Sequence, residues 1–271
     1  MTSACAASSG AKPSRRGAGD RRKRVGYRCA MSQTAKRQDL ADKIASGLSG
    51  WLQMQDAQGL ADLPGEDSAR FTIAGIVHAT GRYTVATSQR PSNWPMNAKQ
   101  RVDLALQGIN QGAEGWYGAI EVKWPGAAFD VRQVRTAIVQ DLVRLVSCKL
   151  ANLNAAFFVL GGRAVALRKL FDVQHTGAAR EAQRKAFSEL LPRTAGPGSM
   201  EVAQLTGLFP CAQDRVPSSL RPGLPTRVQV SLLAARDAQR GTRSVGSVYV
   251  WHVNRTRGRR PHTPLSAVTA T

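Results

Sequence analysis

The sequence predicts an α/β fold: a central mixed β-sheet flanked by helices, with an extra N-terminal helix and a C-terminal strand pair. Three observations carry this. Val102-Asp103-Leu104-Ala105-Leu106 and Ala119-Ile120-Glu121-Val122-Lys123-Trp124 read as strands of period two. Val131, Val134, Ile138, Leu142 and Leu145 recur at three- and four-residue spacing, so a helix follows. Ala155-Ala156-Phe157-Phe158-Val159-Leu160 is a continuous apolar run, which suits a strand covered on both faces. A helix and then a strand, after a mixed strand pair, is the order of an α/β sandwich.

Each element has a local reason. Leu40, Ile44, Leu48, Trp51 and Leu52 trace one stripe within residues 39–55, a helix packed on the core with Trp51 as a core residue. Glu66-Asp67-Ser68 opens a helix through Phe71, Ala74, Val77 and His78 that Gly81 ends. Tyr83-Thr84-Val85-Ala86-Thr87-Ser88 is β-branched and makes the first strand, followed by a loop over residues 90–100. In the next strand Val102, Leu104 and Leu106 share a face and Asp103 points to the other. In the one after it Ile120, Val122 and Trp124 share a face, and Glu121 and Lys123 project together from the opposite one. Pro125-Gly126 stops that strand. The helix beginning near Phe129 carries Arg132, Arg135, Gln140, Asp141 and Arg144 largely off its apolar stripe.

Gly161-Gly162-Arg163 closes the buried strand, either as a backbone approach to a phosphate or equally as a tight turn, and a helix over residues 164–171 follows. Residues 178–191 form a charged helix stopped by Pro192. A proline-rich connection then holds a short helix around residues 201–208. Residues 227–233 and 245–253 alternate as strands that either extend the core sheet or form a small subdomain; Val228, Val230 and Leu232 share one face, and Val248, Val250 and His252 another. The chain thus divides into a disordered basic tail (1–38), an N-terminal helix (39–59), a core (60–172), a C-terminal region (173–253) and a second basic tail (254–271).

Composition narrows the partners. The formal net charge is +20 over 271 residues. Residues 1–38 hold ten Lys or Arg against one Asp, and residues 254–271 hold four Arg and no acid, which leaves +7 for the body. That excess favours a polyanionic partner, because cations that neutralise phosphates release counterions. Met31 offers an alternative start that removes most of the basic head. No stretch approaches the roughly 20 apolar residues that span a bilayer, so no membrane association is expected and a cytoplasmic compartment is the default. Cys5, Cys29, Cys148 and Cys211 lack CxxC or Cys/His spacing, and His78, His175, His252 and His262 form no metal-ligand pattern. There is no GxxxxGK[ST] phosphate loop, GxSxG or HExxH, which argues against a nucleotide cofactor and against serine or zinc hydrolase chemistry.

The remaining chemistry converges on two strands. If they pair, Asp103, Glu121 and Lys123 place two carboxylates and one ammonium on a single patch. Facing carboxylates repel unless a cation sits between them. Hard oxygen ligands of this kind suit Mg²⁺, which takes one or two carboxylates plus waters and substrate phosphates.

This constellation resembles the PD-(D/E)XK nuclease superfamily, the restriction-endonuclease-like fold: an acid on a second strand, then (Asp/Glu)-x-Lys on a third, then a helix and a further strand. Asp103, Glu121 and Lys123 match in that order, and the resemblance covers residues 66–162. Val102 stands where the pattern has proline, and the first strand lacks the Glu that some relatives carry. The resemblance implies a Mg²⁺-dependent (or Mn²⁺-dependent) nuclease acting on DNA. In it Asp103, Glu121 and the Val122 carbonyl hold the metal, and Lys123 orients or helps deprotonate the attacking water. It also implies an additional metal-holding Glu on the first core helix; Glu66 matches by position, although acids in a first helical turn also simply suit the helix dipole. Arg101, Arg132, Arg135 and Gln140 are the candidate nucleic-acid contacts. A homodimer and a nicking monomer are both compatible with the sequence. The competing reading is a non-catalytic nucleic-acid-binding protein or accessory subunit on the same fold.

Overall fold

The computed structural model describes residues 18–60, 65–89, 101–108, 116–126, 128–147, 155–172, 177–209 and 226–255, with side chains in the first segment from residue 33 onward. The loop at 90–100, the tail at 256–271, the first seventeen residues, and the thiols of Cys5, Cys29, Cys148 and Cys211 lie outside the described parts, as do His175 and His262.

The elements run α1 (Ala18–Ala57), α2 (Glu66–Ala79), β1 (Tyr83–Gln89), β2 (Val102–Gly108), β3 (Trp116–Lys123), α3 (Val131–Ser147), β4 (Ala155–Arg163), α4 (Ala164–Asp172), α5 (Ala178–Leu190), β5 (Pro197–Glu201), α6 (Val202–Leu208), β6 (Arg227–Arg240) and β7 (Arg243–Arg255). Helix α1 therefore begins twenty residues before the end of the expected basic tail. The chain forms two compact units, residues 1–37 and 38–271, and α1 passes through both. Everything below concerns the second unit.

The seven strands make one mixed sheet in the order β1-β2-β3-β4-β7-β6-β5. Strand β3 runs parallel to β4, as the intervening α3 requires, and every other neighbour is antiparallel. The C-terminal strands extend the core sheet, so residue 172 marks no boundary in it. The reason is β4: its run from Ala155 to Leu160 is buried on both faces and needs a strand on its far edge, which β7 supplies. Gly161 and Gly162 belong to β4 and do not form a turn. A Cβ on Gly161 would lie 2.3 Å from the Trp124 ring, so its hydrogen makes room for the indole. The β6–β7 hairpin turns at Gly241, φ +60, a conformation that favours glycine.

Two apolar layers sandwich the sheet. Leu40, Ile44, Leu48 and Leu52 of α1, with Ala69, Ile73 and Val77 of α2, cover one face over Leu104, Leu106, Ile120, Val122 and Phe157. Helices α3 to α6 cover the other, over Ala105, Ala119, Phe158, Val230 and Trp251. Trp51 is half-buried edge-on to Trp124, 5.5 Å between centroids, as its place in the α1 stripe predicts. Val102 departs from the expected face and joins the α3 side. The β1–β2 register is continuous from Tyr83↔Gly108 to Gln89↔Val102, but the backbone turns aside at Ser88, opposite Asp103, where φ is +50. In β6 a register shift between Leu232 and Ala234 turns the alternation over, so Val228 and Val230 face α3 while Ala234 and Ala238 face α1.

Candidate active site

Asp103 and Glu121 stand on adjacent antiparallel strands, just beyond the point where those strands stop pairing. On this side the β2–β3 ladder ends at Leu104↔Ile120, while β3 stays paired to β4 as far as Lys123↔Leu160. The Val122 N–H, released from β2, donates to Asp103 Oδ2 at 2.7 Å. Asp103 thus caps the strand divergence that exposes the site, using one oxygen to do so. Its Oδ1 lies 3.1 Å from Arg70 Nε of α2.

Helix α2 starts beside this opening, with Glu66 and Asp67 in its first turn. Arg70 reaches back to both, Nη2 to Glu66 Oε1 at 2.5 Å and Nη1 to Asp67 Oδ1 at 2.7 Å, the i,i+4 and i,i+3 spacings that meet on a helix. Glu66 also accepts from Lys123 Nζ at 3.4 Å. Helix α3, whose first turn is capped by Asp130 accepting from the Gln133 N–H, brings two further groups from the other side of the sheet. Asp141 Oδ2 is 3.0 Å from Lys123 Nζ. Arg144 Nη2 lies 2.5 Å from Glu121 Oε1 and 3.0 Å from Asp141 Oδ1.

The result is one cluster of five carboxylates, Glu66, Asp103, Glu121 and Asp141 with the exposed Asp67 at its edge, and three cations, Arg70, Lys123 and Arg144. Glu121 is fully buried, and burial pushes its carboxyl well above the ordinary glutamate value; Arg144 and Lys123 oppose this while Asp141 and Asp103 reinforce it. Its Oε2 has no hydrogen-bond partner among the described residues. Burial alone would lower the Lys123 ammonium, but Asp141, Glu66 and Asp103 outweigh it and hold the group above the usual lysine value. Burial likewise works against the Arg144 charge, and Glu121 and Asp141 more than offset it.

Among the described residues no three His, Cys, Asp or Glu side chains are grouped so that they could hold a metal ion. Yet a buried carboxylate oxygen without a donor, flanked by two more acids, is a demand for positive charge. An ion of the Mg²⁺ kind takes one or two carboxylates with water and substrate phosphate, and Asp103 and Glu121 are the two that would serve, each now facing a guanidinium.

Glu66, Asp103, Glu121, Val122 and Lys123 all meet here. The four candidate nucleic-acid contacts are placed apart from this cluster's ion pairs. Arg101 is exposed and donates to the Ser88 carbonyl. Arg132 is exposed at the start of α3. Arg135 is 2% exposed and donates through Nε and Nη2 to the Leu170 carbonyl, so it is not the surface residue the helix pattern suggests. Gln140 is buried as well. Arg135 is buried because α4 covers its flank of α3, where Leu170 supplies the carbonyl it binds. The sequence pattern does not point to Arg70 or Arg144 as site residues, and it assigns Asp141 to a polar face of α3. Asp141 carried a signal, for it lies three residues after Ile138 and four before Leu145, at the border of the apolar stripe.

Comparison with known proteins adds no relative: no family model, curated protein or solved structure matches this chain.

Proposed function

We propose that this chain is a metal-dependent phosphodiesterase acting on DNA, a nuclease of the PD-(D/E)XK kind on a restriction-endonuclease-like core. One observation carries the reading. Asp103 and Glu121-x-Lys123, eighteen residues apart in sequence, converge where β2 leaves β3. Asp103 and Glu121 would hold Mg²⁺ or Mn²⁺, with the Val122 carbonyl beside them and Glu66 at the rim. The bound ion would supply Lewis-acid polarisation of the scissile phosphate and a more acidic bound water.

The protein's own groups account for the rest. Lys123 is anchored between Asp141 and Glu66 and stays cationic at neutral pH, so its role is to orient the attacking water and stabilise charge developing on the phosphoryl oxygens. An ammonium held above its usual pKa is a poor general base, which favours orientation over deprotonation. Attack is in line, leaving 5′-phosphate and 3′-hydroxyl ends as the resemblance implies. The net charge of +20 supports a polyanionic substrate.

One observation favours the alternative, a nucleic-acid binder without turnover. Arg70 and Arg144 already neutralise Asp103 and Glu121, and a site permanently filled by guanidinium has no need of a metal. Cleavage of supercoiled plasmid by the full chain in Mg²⁺, Mn²⁺ and EDTA, beside Lys123→Ala, separates the two. Metal-dependent nicking that the variant loses supports the nuclease. Intact plasmid throughout, with binding that persists in EDTA, replaces it with the binder.

A further inference from the structure

A second charged feature lies outside this cluster. Phe129, Val131, Arg132, Arg135, Lys169 and Arg180, together with Asp130 and Gln183, line a cavity of about 370 Å³ between the start of α3 and helices α4 and α5. Four cations face one carboxylate there. Asp130 is already engaged as the α3 cap, and none of the four cations makes an ion pair with a described residue. Arg135 is the telling member. Its Nε and Nη2 go to one neutral acceptor, the Leu170 carbonyl, and its guanidinium stacks 5.7 Å from the Phe187 ring centre. Lys169 likewise binds the Phe129 carbonyl and lies over that ring, 4.8 Å from its centre. A buried guanidinium without a carboxylate is costly unless something else brings the negative charge. Burial, with Arg184 nearby, lowers Arg135 to about 10, and the more distant Glu181 carboxylate offsets this only in part.

We infer that this cavity binds a phosphoryl group. Convergent Arg and Lys from three helices match the fork geometry and charge with which proteins take phosphate oxygens. The volume is at the small end of ligand pockets, room for a phosphate with part of its attached nucleoside. The phosphate comes either from a nucleic-acid strand or from a free phosphorylated small molecule. The inference stands on the cavity and not on metal chemistry, so it survives or fails independently of the nuclease reading.

The test uses the full chain in EDTA, where no cleavage confuses binding. The variant is Arg132→Gln/Arg180→Gln, two exposed residues whose loss leaves the core untouched; Arg240→Gln/Arg243→Gln, at the β6–β7 turn, removes equal charge elsewhere. The probes are inorganic phosphate and one single-stranded oligonucleotide with and without a 5′-phosphate. If free phosphate is the ligand, it raises the melting temperature of wild type and of the turn variant but not of the cavity variant. If strand phosphate is the ligand, the cavity variant binds the oligonucleotide about tenfold more weakly and with a shallower salt slope, by about one per lost contact. A larger loss for the 5′-phosphorylated strand assigns a chain end. Equal behaviour of the two double variants toward every probe overturns the site.

Discussion

Arg144 on α3 and Glu121 on β3 form the most deeply buried ion pair of the cluster, Nη2 to Oε1 at 2.5 Å, with Glu121 side chain 1% exposed. The pair binds the helix to the strand that carries the Glu-x-Lys motif. Removing one partner of such a pair leaves a buried charge uncompensated, which typically costs about 3–5 kcal/mol. Arg144→Met should therefore lower metal-free stability by about that amount in urea unfolding at neutral pH. Glu121→Gln in the same chain should recover much of the loss. A loss under 1 kcal/mol for the single variant would mean that Glu121 is already neutral in the folded protein.

Glu121 also sets a pH dependence. Its folded pKa is raised above the unfolded value of about 4.3, so over the interval between the two the folded state binds more protons than the unfolded one. Stability then falls as pH rises through that interval, the reverse of an ordinary salt-bridged acid. In EDTA, Glu121→Gln should flatten this decline and gain on wild type as pH rises above about 4.3, read from urea midpoints. Parallel curves for the two proteins would remove the effect from Glu121.

Asp103 has a structural duty, and this decides how it must be tested. Asp103→Ala leaves the Val122 N–H without its acceptor, at a cost of about 1–3 kcal/mol. Asp103→Asn keeps an oxygen there and removes the charge. The Asn variant should unfold within about 1 kcal/mol of wild type and still lose plasmid nicking. Full nicking by a folded Asn variant would take Asp103 out of the chemistry.

Lys123→Met should reduce cleavage by about 10²–10³, the range for losing one preorganised charge-stabilising donor, with the far-ultraviolet spectrum unchanged. Because Asp141 anchors Lys123, Asp141→Asn should give a smaller loss in the same assay, with the pH at half-maximal rate moved. A Lys123 variant that cuts at the wild-type rate ends the assignment.

Gly161→Ala tests the sheet rather than the site. The new methyl would sit 2.3 Å from the Trp124 ring, and overpacking of this sort costs about 1–3 kcal/mol. The drop should appear in thermal unfolding together with a changed Trp fluorescence. An unchanged melting temperature would mean that the indole moves freely.

The α/β class, the Asp103 and Glu121-x-Lys123 pattern, and nearly every helix and strand were legible in the sequence, because period and turn residues are local properties of the chain. Strand β5 was not, since Pro197 and Gly198 read as a breaker and only pairing with β6 makes the segment extended. Tertiary structure alone decided that β6 and β7 complete the core sheet, that Arg135 and Gln140 are covered, and that Arg70, Asp141 and Arg144 join the acids. Each depends on which elements pack against one another. Helix periodicity tells which side of α3 is apolar, but only the position of α4 tells how much more of it is buried. Asp141 shows the difference most plainly. The helix pattern sets it off the apolar stripe, and only the fold buries it and places the Lys123 ammonium 3.0 Å away.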